Sequence, residues 1–200
     1  LFAEAVGLFF GILCAQFRGK WPDYLLMVVA VLGIALPSMV LGPILRMIFG
    51  VKLGILPVTG WGKLNQIILP ALVLGLGTVA GNTRNMRASM LAITTQDYVK
   101  TARAKGLSPI RVVLKHQFKN SLVPIIPNLG VQIAGVLMGS FVVESMFLIP
   151  GLGRYFVDSV TNLDYPLIMG LTVFYGAFLV TMNLIVDVLY GLIDPRIRVK

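Results

Sequence analysis

The 200-residue chain predicts an all-α fold, a polytopic integral membrane helical bundle with five spans in this fragment. Three observations predict it. Hydrophobic residues make up 57% of the sequence and charged residues only 12%, about half the share usual in a soluble domain. The apolar residues gather in segments long enough, at about 1.5 Å per helical residue, to cross a hydrocarbon core of about 30 Å. Lys and Arg concentrate in particular connections between those segments. The same balance excludes a disordered chain, a disulfide-stapled secreted module and an ordinary soluble enzyme.

The first apolar segment runs from Leu1 to Phe17. The chain opens on Leu1 rather than Met, without the basic start and small-residue cleavage site of a signal peptide, so the expectation is a fragment preceded by further membrane sequence. Cys14, the one cysteine, sits among apolar residues and reads as packing; alone it excludes an internal disulfide and a Cys-based metal site. The turn Arg18-Gly19-Lys20-Trp21-Pro22-Asp23 separates this segment from the second, Tyr24 to Phe49. A Gly, Pro and Trp-rich stretch from Gly50 to Gly62 precedes the third, Ile67 to Thr83. The fourth, Ser121 to Val143, ends before Pro150-Gly151-Leu152-Gly153, and the fifth runs from Pro166 to Leu192. Pro37, Pro43, Pro70, Pro124 and Pro127 make these helices kinkable. The pairs Gly7/Gly11, Gly77/Gly81 and Gly135/Gly139 would let backbones approach closely, which favours a packed bundle.

The net charge of +9 is first a statement about topology. The turn 18–23 carries two basic residues, the region 84–119 carries Arg84, Arg87, Lys100, Arg103, Lys105, Arg111, Lys115 and Lys119, and the tail carries Arg196, Arg198 and Lys200. These regions share one face and hold 13 of the 17 basic residues; Arg46, Lys52, Lys63 and Arg154 lie opposite. By the positive-inside rule the chain begins outside and ends in the cytoplasm, and nucleic acid is not needed to explain the charge.

The polar insert from Arg84 to Lys119 is too long for a turn. Thr94-Thr95-Gln96-Asp97 resembles a capping box opening a helix from Tyr98 to Lys105, and Gly106 can adopt the left-handed backbone that closes it. Ser108 as N-cap with Pro109 at the first helical position starts a second helix. There Ile110, Val113, Leu114, Gln117 and Phe118 form one stripe, and Arg111, Lys115 and Lys119 form a basic row. Such a helix, corner and helix suits either a docking element for a cytoplasmic partner or an amphipathic hairpin on anionic lipid.

Lys100-Thr101-Ala102-Arg103-Ala104-Lys105-Gly106 resembles the E-A-A-x-x-x-G signature of ABC-importer permeases, with Lys100 where the signature has glutamate. The segments DYVKTARAKGLSPIRVVLKHQFKNSLVPIIPNLG, ESMFLIPGLGRYFVDSV, DYPLIMG and GLIDPRIR are similar to the oligopeptide/dipeptide permease subfamily. The resemblance implies a type I importer permease, residues 1–200 forming one transmembrane domain with a coupling segment at 84–120. The first span and the large external loop of a six-span subunit would precede this chain. It further implies a second permease subunit, two cytoplasmic ATP-binding subunits that carry ATP and magnesium, and an extracytoplasmic solute-binding protein. The coupling residues would be Lys100 through Ser108, with Leu107 among them, seated on an ATPase. No cofactor is expected in this chain itself.

No Gly-x-x-x-x-Gly-Lys-Ser/Thr loop occurs, so the chain is not the motor. His116 lacks neighbours at ligand spacing, and Ser121, Ser140 and Ser145 lack a matching His and Asp, which disfavours a metal site and a hydrolase. Glu144 either pairs with Arg154 or lines the outer mouth, and Asp187 is expected to pair with Arg196 or Arg84, since intramembrane carboxylates need partners. Gln132, Ser140, Glu144 and Arg154 are the candidates for the pathway or gate. Phe147 to Asp164, amphipathic over Arg154 to Val160, either dips toward the pathway or supports the binding protein. The rival class is a stand-alone channel or secondary carrier with a lipid-binding basic loop, although the five segments show no inverted repeat.

Overall fold

The computed structural model describes residues 2–137 and 139–193. Every element in these residues is helical. In order they are α1 (Phe2–Gln16), α2 (Trp21–Ala35), α3 (Ser38–Leu45) with a π-helical stretch Arg46–Lys52, α4 (Leu64–Thr94) and α5 (Asp97–Ala104). Then come α6 (Pro109–Arg111) with a π-helical stretch Val112–Phe118, α7 (Lys119–Leu122), α8 (Ile126–Leu137), α9 (Phe141–Phe147), α10 (Leu152–Thr161) and α11 (Tyr165–Ile193).

The expected apolar segments are helical, but not five uniform rods. Among the described residues α4 and α11 are each long and apolar enough to cross a membrane, and α2 with α3 makes a third span if counted together. The break between α2 and α3 falls at Leu36-Pro37, because a residue before proline is driven to extended backbone and proline cannot donate to the helix ladder. The fourth segment is interrupted twice, once between α7 and α8 around Pro124 and again before α9. It is built of short helical pieces rather than of one long helix. α4 has 31 residues, about 46 Å at the helical rise, against a hydrocarbon core of about 30 Å. Roughly ten residues of α4 therefore lie outside the apolar layer, and its polar end from Arg84 to Thr94 supplies them.

The chain packs as two compact units, residues 2–34 with 77–129, and residues 35–76 with 130–188. In the first, Gly7 and Gly11 lay α1 directly on α4. A Cβ on Gly7 would stand 2.7 Å from Asn82 Cβ, and one on Gly11 would stand 2.8 Å from the Thr83 carbonyl. The Thr83 hydroxyl uses this closeness, donating to Val79 O at 2.7 Å and to Gly7 O at 3.2 Å. Asn82 donates to the buried Glu4 carboxylate. Below these contacts Met86, Met90 and Ile125 form a core with Leu8 and Ile12. Asp23, 2% exposed, receives Arg87 Nε at 2.7 Å and Nη2 at 2.8 Å, and also the Gly19 N–H at 3.0 Å. This two-pronged pair fixes the turn before α2 to α4, at positions the sequence marked only as basic-face residues.

The second unit is organised on Leu69, Val73, Val143 and Phe147. Arg46 donates to the Met146 carbonyl at 2.9 Å and lies 5.7 Å over the Phe147 ring, so its charge is spent on packing. Phe141, Phe156 and Tyr175 form an aromatic group with centroids 5.0 to 6.4 Å apart. The amphipathic stretch expected at Arg154 to Val160 lies within α10. The side chains of Asp187 and of the tail residues Arg196, Arg198 and Lys200 lie outside the described residues.

Of the three glycine pairs only the first is tightly covered within its unit, since a Cβ on Gly81 or Gly135 would meet nothing within 4 Å. Overpacking a close contact costs about 1 to 3 kcal/mol, whereas an uncovered helix position costs little. Gly11→Val should therefore lower the thermal midpoint of the detergent-solubilised protein, while Gly176→Ala, with open space around it, leaves the midpoint unchanged.

Candidate functional site

The corner between α5 and α6 is closed by backbone geometry alone. Gly106 sits at φ +73°, the Gly106 N–H donates to Arg103 O at 2.9 Å, and the Leu107 N–H donates back to Ala102 O at 3.4 Å. This is the paired closure by which a left-handed residue satisfies the last carbonyls of a helix. Leu107 then packs on Val99, Ala102 and Val112, which completes the motif with an apolar contact. A Cβ on Gly106 would meet no atom within 4 Å, so the backbone angle, not space, demands glycine.

The helices appear where the sequence places them, with two differences. Thr94 and Thr95 do not form a capping box for α5: their hydroxyls donate to Met90 O at 2.8 Å and Ala92 O at 3.0 Å, so both finish α4, and Gln96 caps α5 without a side-chain hydrogen bond. Ser108 occupies the N-cap of α6 with Pro109 behind it, again without a side-chain bond. The second difference concerns the apolar stripe. Ile110 is 73% exposed and Leu114 59% exposed, while Val112 and Gln117 are buried. The π-helical stretch explains the change, since its wider turn brings residues five apart into line and rotates the buried face to Val112, Gln117 and Ser121.

Gln117 lies on the inward stripe as the sequence places it, but its partners were not legible there. It is 1% exposed; its Oε1 accepts from Gln16 Nε2 at 3.3 Å, and its Nε2 donates to the Thr94 hydroxyl at 3.1 Å, which in turn donates to Met90 O. The chain of bonds joins α1, the second hairpin helix and the end of α4. Ser121 adds a second tie, its carbonyl accepting from Ser89 Oγ at 2.8 Å and its hydroxyl lying 3.1 Å from Met90 Sδ. A small groove of about 250 Å³ remains between Gln16, Arg103, Leu107, Pro109 and Val112.

Of the nine expected coupling residues, Lys100, Thr101, Arg103, Ala104, Lys105, Gly106 and Ser108 are exposed, Leu107 is half-buried and Ala102 is buried. The motif thus divides into an inner alanine that packs and an outer surface that is offered. Lys100, in the place of the signature glutamate, pairs with Asp97 at 2.9 Å, an exposed pair worth little in water. Arg111, Lys115 and Lys119 are all exposed, and Asp97 is the one acidic residue between positions 97 and 119.

Three of the four gate candidates meet in the second unit. Glu144, 9% exposed, accepts the Ser140 N–H at 3.2 Å and the Arg154 N–H at 3.1 Å, so it binds the backbone of Arg154 rather than its guanidinium. That guanidinium instead stands 3.7 Å from Asp158. Gly139, Gly151 and Gly153 enclose the carboxylate so closely that a Cβ on any of them would collide with it. Glu144 therefore ties the start of α9 to the start of α10, a structural pairing of a kind different from the ion pair expected. Gln132 on α8 joins none of these, and its Oε1 is buried without a partner among the described residues. Among those residues no group of three or more His, Cys, Asp or Glu side chains is placed to hold a metal.

Apolar helices long enough to span a bilayer define an integral membrane protein. The chain belongs to the family of binding-protein-dependent transport system inner membrane components, matching it over residues 7–199. It is 45% identical over 192 residues to the dipeptide transport system permease protein DppB of Bacillus subtilis (strain 168), covering 96% of this chain and 62% of that protein. It is 44% identical over 200 residues to the glutathione transport system permease protein GsiC of Escherichia coli (strain K12), covering all of this chain and 65% of that protein. The chain thus spans a little under two thirds of the length of these relatives. Its fold is that of a chain in the inward-facing MetNI methionine ABC transporter, with a TM-score of 0.77 at 16% identity over 96% of this chain and 88% of the other.

Replacing Gln117 by Leu should destabilise the solubilised protein by about 1 kcal/mol, since it removes both hydrogen bonds of a buried amide while the half-buried Thr94 and the exposed Gln16 can turn to water. In a double-mutant cycle with Gln16→Leu the two losses should fall short of additivity, as expected of bonded partners. Arg154→Ala should leave the thermal midpoint nearly unchanged, whereas Glu144→Ala, which uncovers two helix-start N–H groups, should cost about 2 to 3 kcal/mol. Equal losses from the two substitutions would restore the side-chain ion pair.

Proposed function

We propose that this chain is a permease subunit of an ATP-driven importer that moves peptides or similar small solutes inward by alternating access. The observation that carries the proposal is the cytoplasmic hairpin: a corner of fixed angle whose signature residues face outward while Gln117 and Ala102 hold it to α1 and α4. A rigid corner so anchored transmits a push, whereas a helix resting on lipid has no need of a fixed angle.

In this reading the outward residues of Lys100 to Ser108 seat on one of two cytoplasmic ATP-binding subunits, which hold ATP and magnesium and perform the hydrolysis. A second permease subunit completes the passage, and an extracytoplasmic binding protein delivers the solute. The chain is multi-pass in the bacterial or archaeal cell membrane with its C-terminus cytoplasmic, a reading that the basic residues of 84–119 support. The names of the relatives support peptides and glutathione as the solute class. The exposed Ile110 and Leu114 beside Arg111 and Lys115 favour a lipid contact for the hairpin's second helix as well, membrane lipid being a partner in either case.

Gly106→Val tests the handle. A β-branched residue resists positive φ, so the protein should reach the membrane and assemble while peptide uptake falls sharply and ATP hydrolysis continues without it. Uptake at the unsubstituted rate would remove the coupling role. Purification through a tag on this chain should bring ATP-binding subunits with it; a channel or secondary carrier would run alone.

A further inference from the structure

α4 does not present a lipid-facing surface along its polar half. Beyond Ile68, none of its large apolar side chains is exposed among the described residues, whereas α2 exposes Leu25, Val28 and Leu32, and α11 exposes Val173, Val180 and Leu184. Within the first unit, from Gly77 onward, the uncovered positions on α4 are instead Gly77, Arg84, Asn85, Ala88 and Ala92, with Gly81 half-covered between them. Their spacing of three to four, with one adjacent pair, places them on one helical face about 22 Å long. From Arg84 onward this face belongs to the end of α4 that the helix length carries beyond the apolar layer, so water or protein meets it there.

Two grooves flank this face inside the first unit, one of about 570 Å³ walled by Gly81, Arg84 and Asn85, the other of about 440 Å³ walled by Ala92 and Asn128. They share Asn85 and Ala88 as a common wall, so together they form one trough. Each has the capacity of a small-molecule site. Arg87, one turn from Arg84, is neutralised by Asp23; Arg84 meets no carboxylate among the described residues.

We infer that this trough is the cytoplasmic section of the solute passage, and that Arg84 with Asn85 and Asn128 binds the C-terminal carboxylate and adjoining amide groups of a short peptide. The assignment rests on the permease reading above and names its solute-recognising residues. The guanidinium fork matches a carboxylate through two parallel hydrogen bonds, and an asparagine amide both donates to a peptide carbonyl and accepts from a peptide N–H. Small residues at 81, 88 and 92 leave room for varied side chains to pass. Met27 and Ile34 in the first groove and Ile93, Pro124 and Ile125 in the second give the trough apolar walls beside these polar groups, a mixture that suits the side chains and backbone of a peptide, and a lipid phosphate shares the anionic chemistry of the carboxylate.

The test uses the assembled complex in phosphatidylcholine nanodiscs. Cys14 is fully buried, so an Ala88→Cys variant offers one accessible thiol on this chain, and its adduct with a charged methanethiosulfonate reagent is read by mass spectrometry. Import of alanyl-alanine and glutathione is assayed first in vesicles, and the imported compound serves as protector. Labelling should be rapid, and the free-acid peptide should slow it. The same peptide with its C-terminus amidated, or the free acid in an added Arg84→Gln background, should need about tenfold more for equal protection. Absence of labelling, which would place lipid or a second permease subunit on this face, overturns the inference. So does equal protection by acid and amide, or protection that survives Arg84→Gln. Loss of labelling when phosphatidylglycerol is included, without peptide, would reassign Arg84 to lipid phosphate. Failure of import altogether, with partner subunits present, sinks the permease reading itself, whereas import without the expected protection pattern sinks only the trough.

Discussion

Gln117 joins helices whose residues lie 101 and 23 positions away, and it does so out of water, where an amide left unpaired would be costly. Its two bonds decide where the second hairpin helix rests, because Val112 and Ser121 can be buried only when the same face is turned inward. The buried Ala102 and the half-buried Leu107 then follow, and the remaining signature residues are left outside. The placement of the hairpin thus rests on one buried amide together with a corner whose backbone angle is fixed by glycine.

Local chemistry made the hairpin legible. Gly106 and the Ser108-Pro109 pair act through their own backbone preferences, which no distant contact needs to support, and both stand where the sequence puts them. The capping box failed because α4 continues through Thr94, and a hydroxyl already bonded one turn back is not available to the next helix. The apolar stripe held at Val113, Gln117 and Phe118 and missed at Ile110 and Leu114, because a 3.6-residue period was applied across a π-helical stretch, and nothing in the residues 112–118 announces the wider turn. The pairing of the charges was not legible. Asp23 with Arg87 and Glu4 with Asn82 are separated by 64 and 78 residues, distances over which a sequence alone specifies no contact.

The second unit shows a different use of a membrane carboxylate. Among the described residues Glu144 meets no cation but a ring of glycines and two helix-start N–H groups, so its carboxylate is held by the unbonded donors that begin helices. The Pro150-Gly151-Leu152-Gly153 sequence had marked this place only as a turn. In the fold the glycines make room for the oxygen atoms, and the same turn that ends one helix positions the start of the next. The pathway candidates chosen from sequence divide accordingly: Ser140, Glu144 and Arg154 build this joint, and Gln132 stands apart from it.

The empty space around Gly106 has a stereochemical consequence. Because no neighbouring atom confines the position and its backbone angle is positive, the site discriminates by handedness rather than by volume. A D-alanine introduced there by chemical ligation would occupy the preferred backbone region of its own mirror-image chirality. It would also deny the unfolded chain much of glycine's freedom, leaving the bend stiffer than the natural residue makes it.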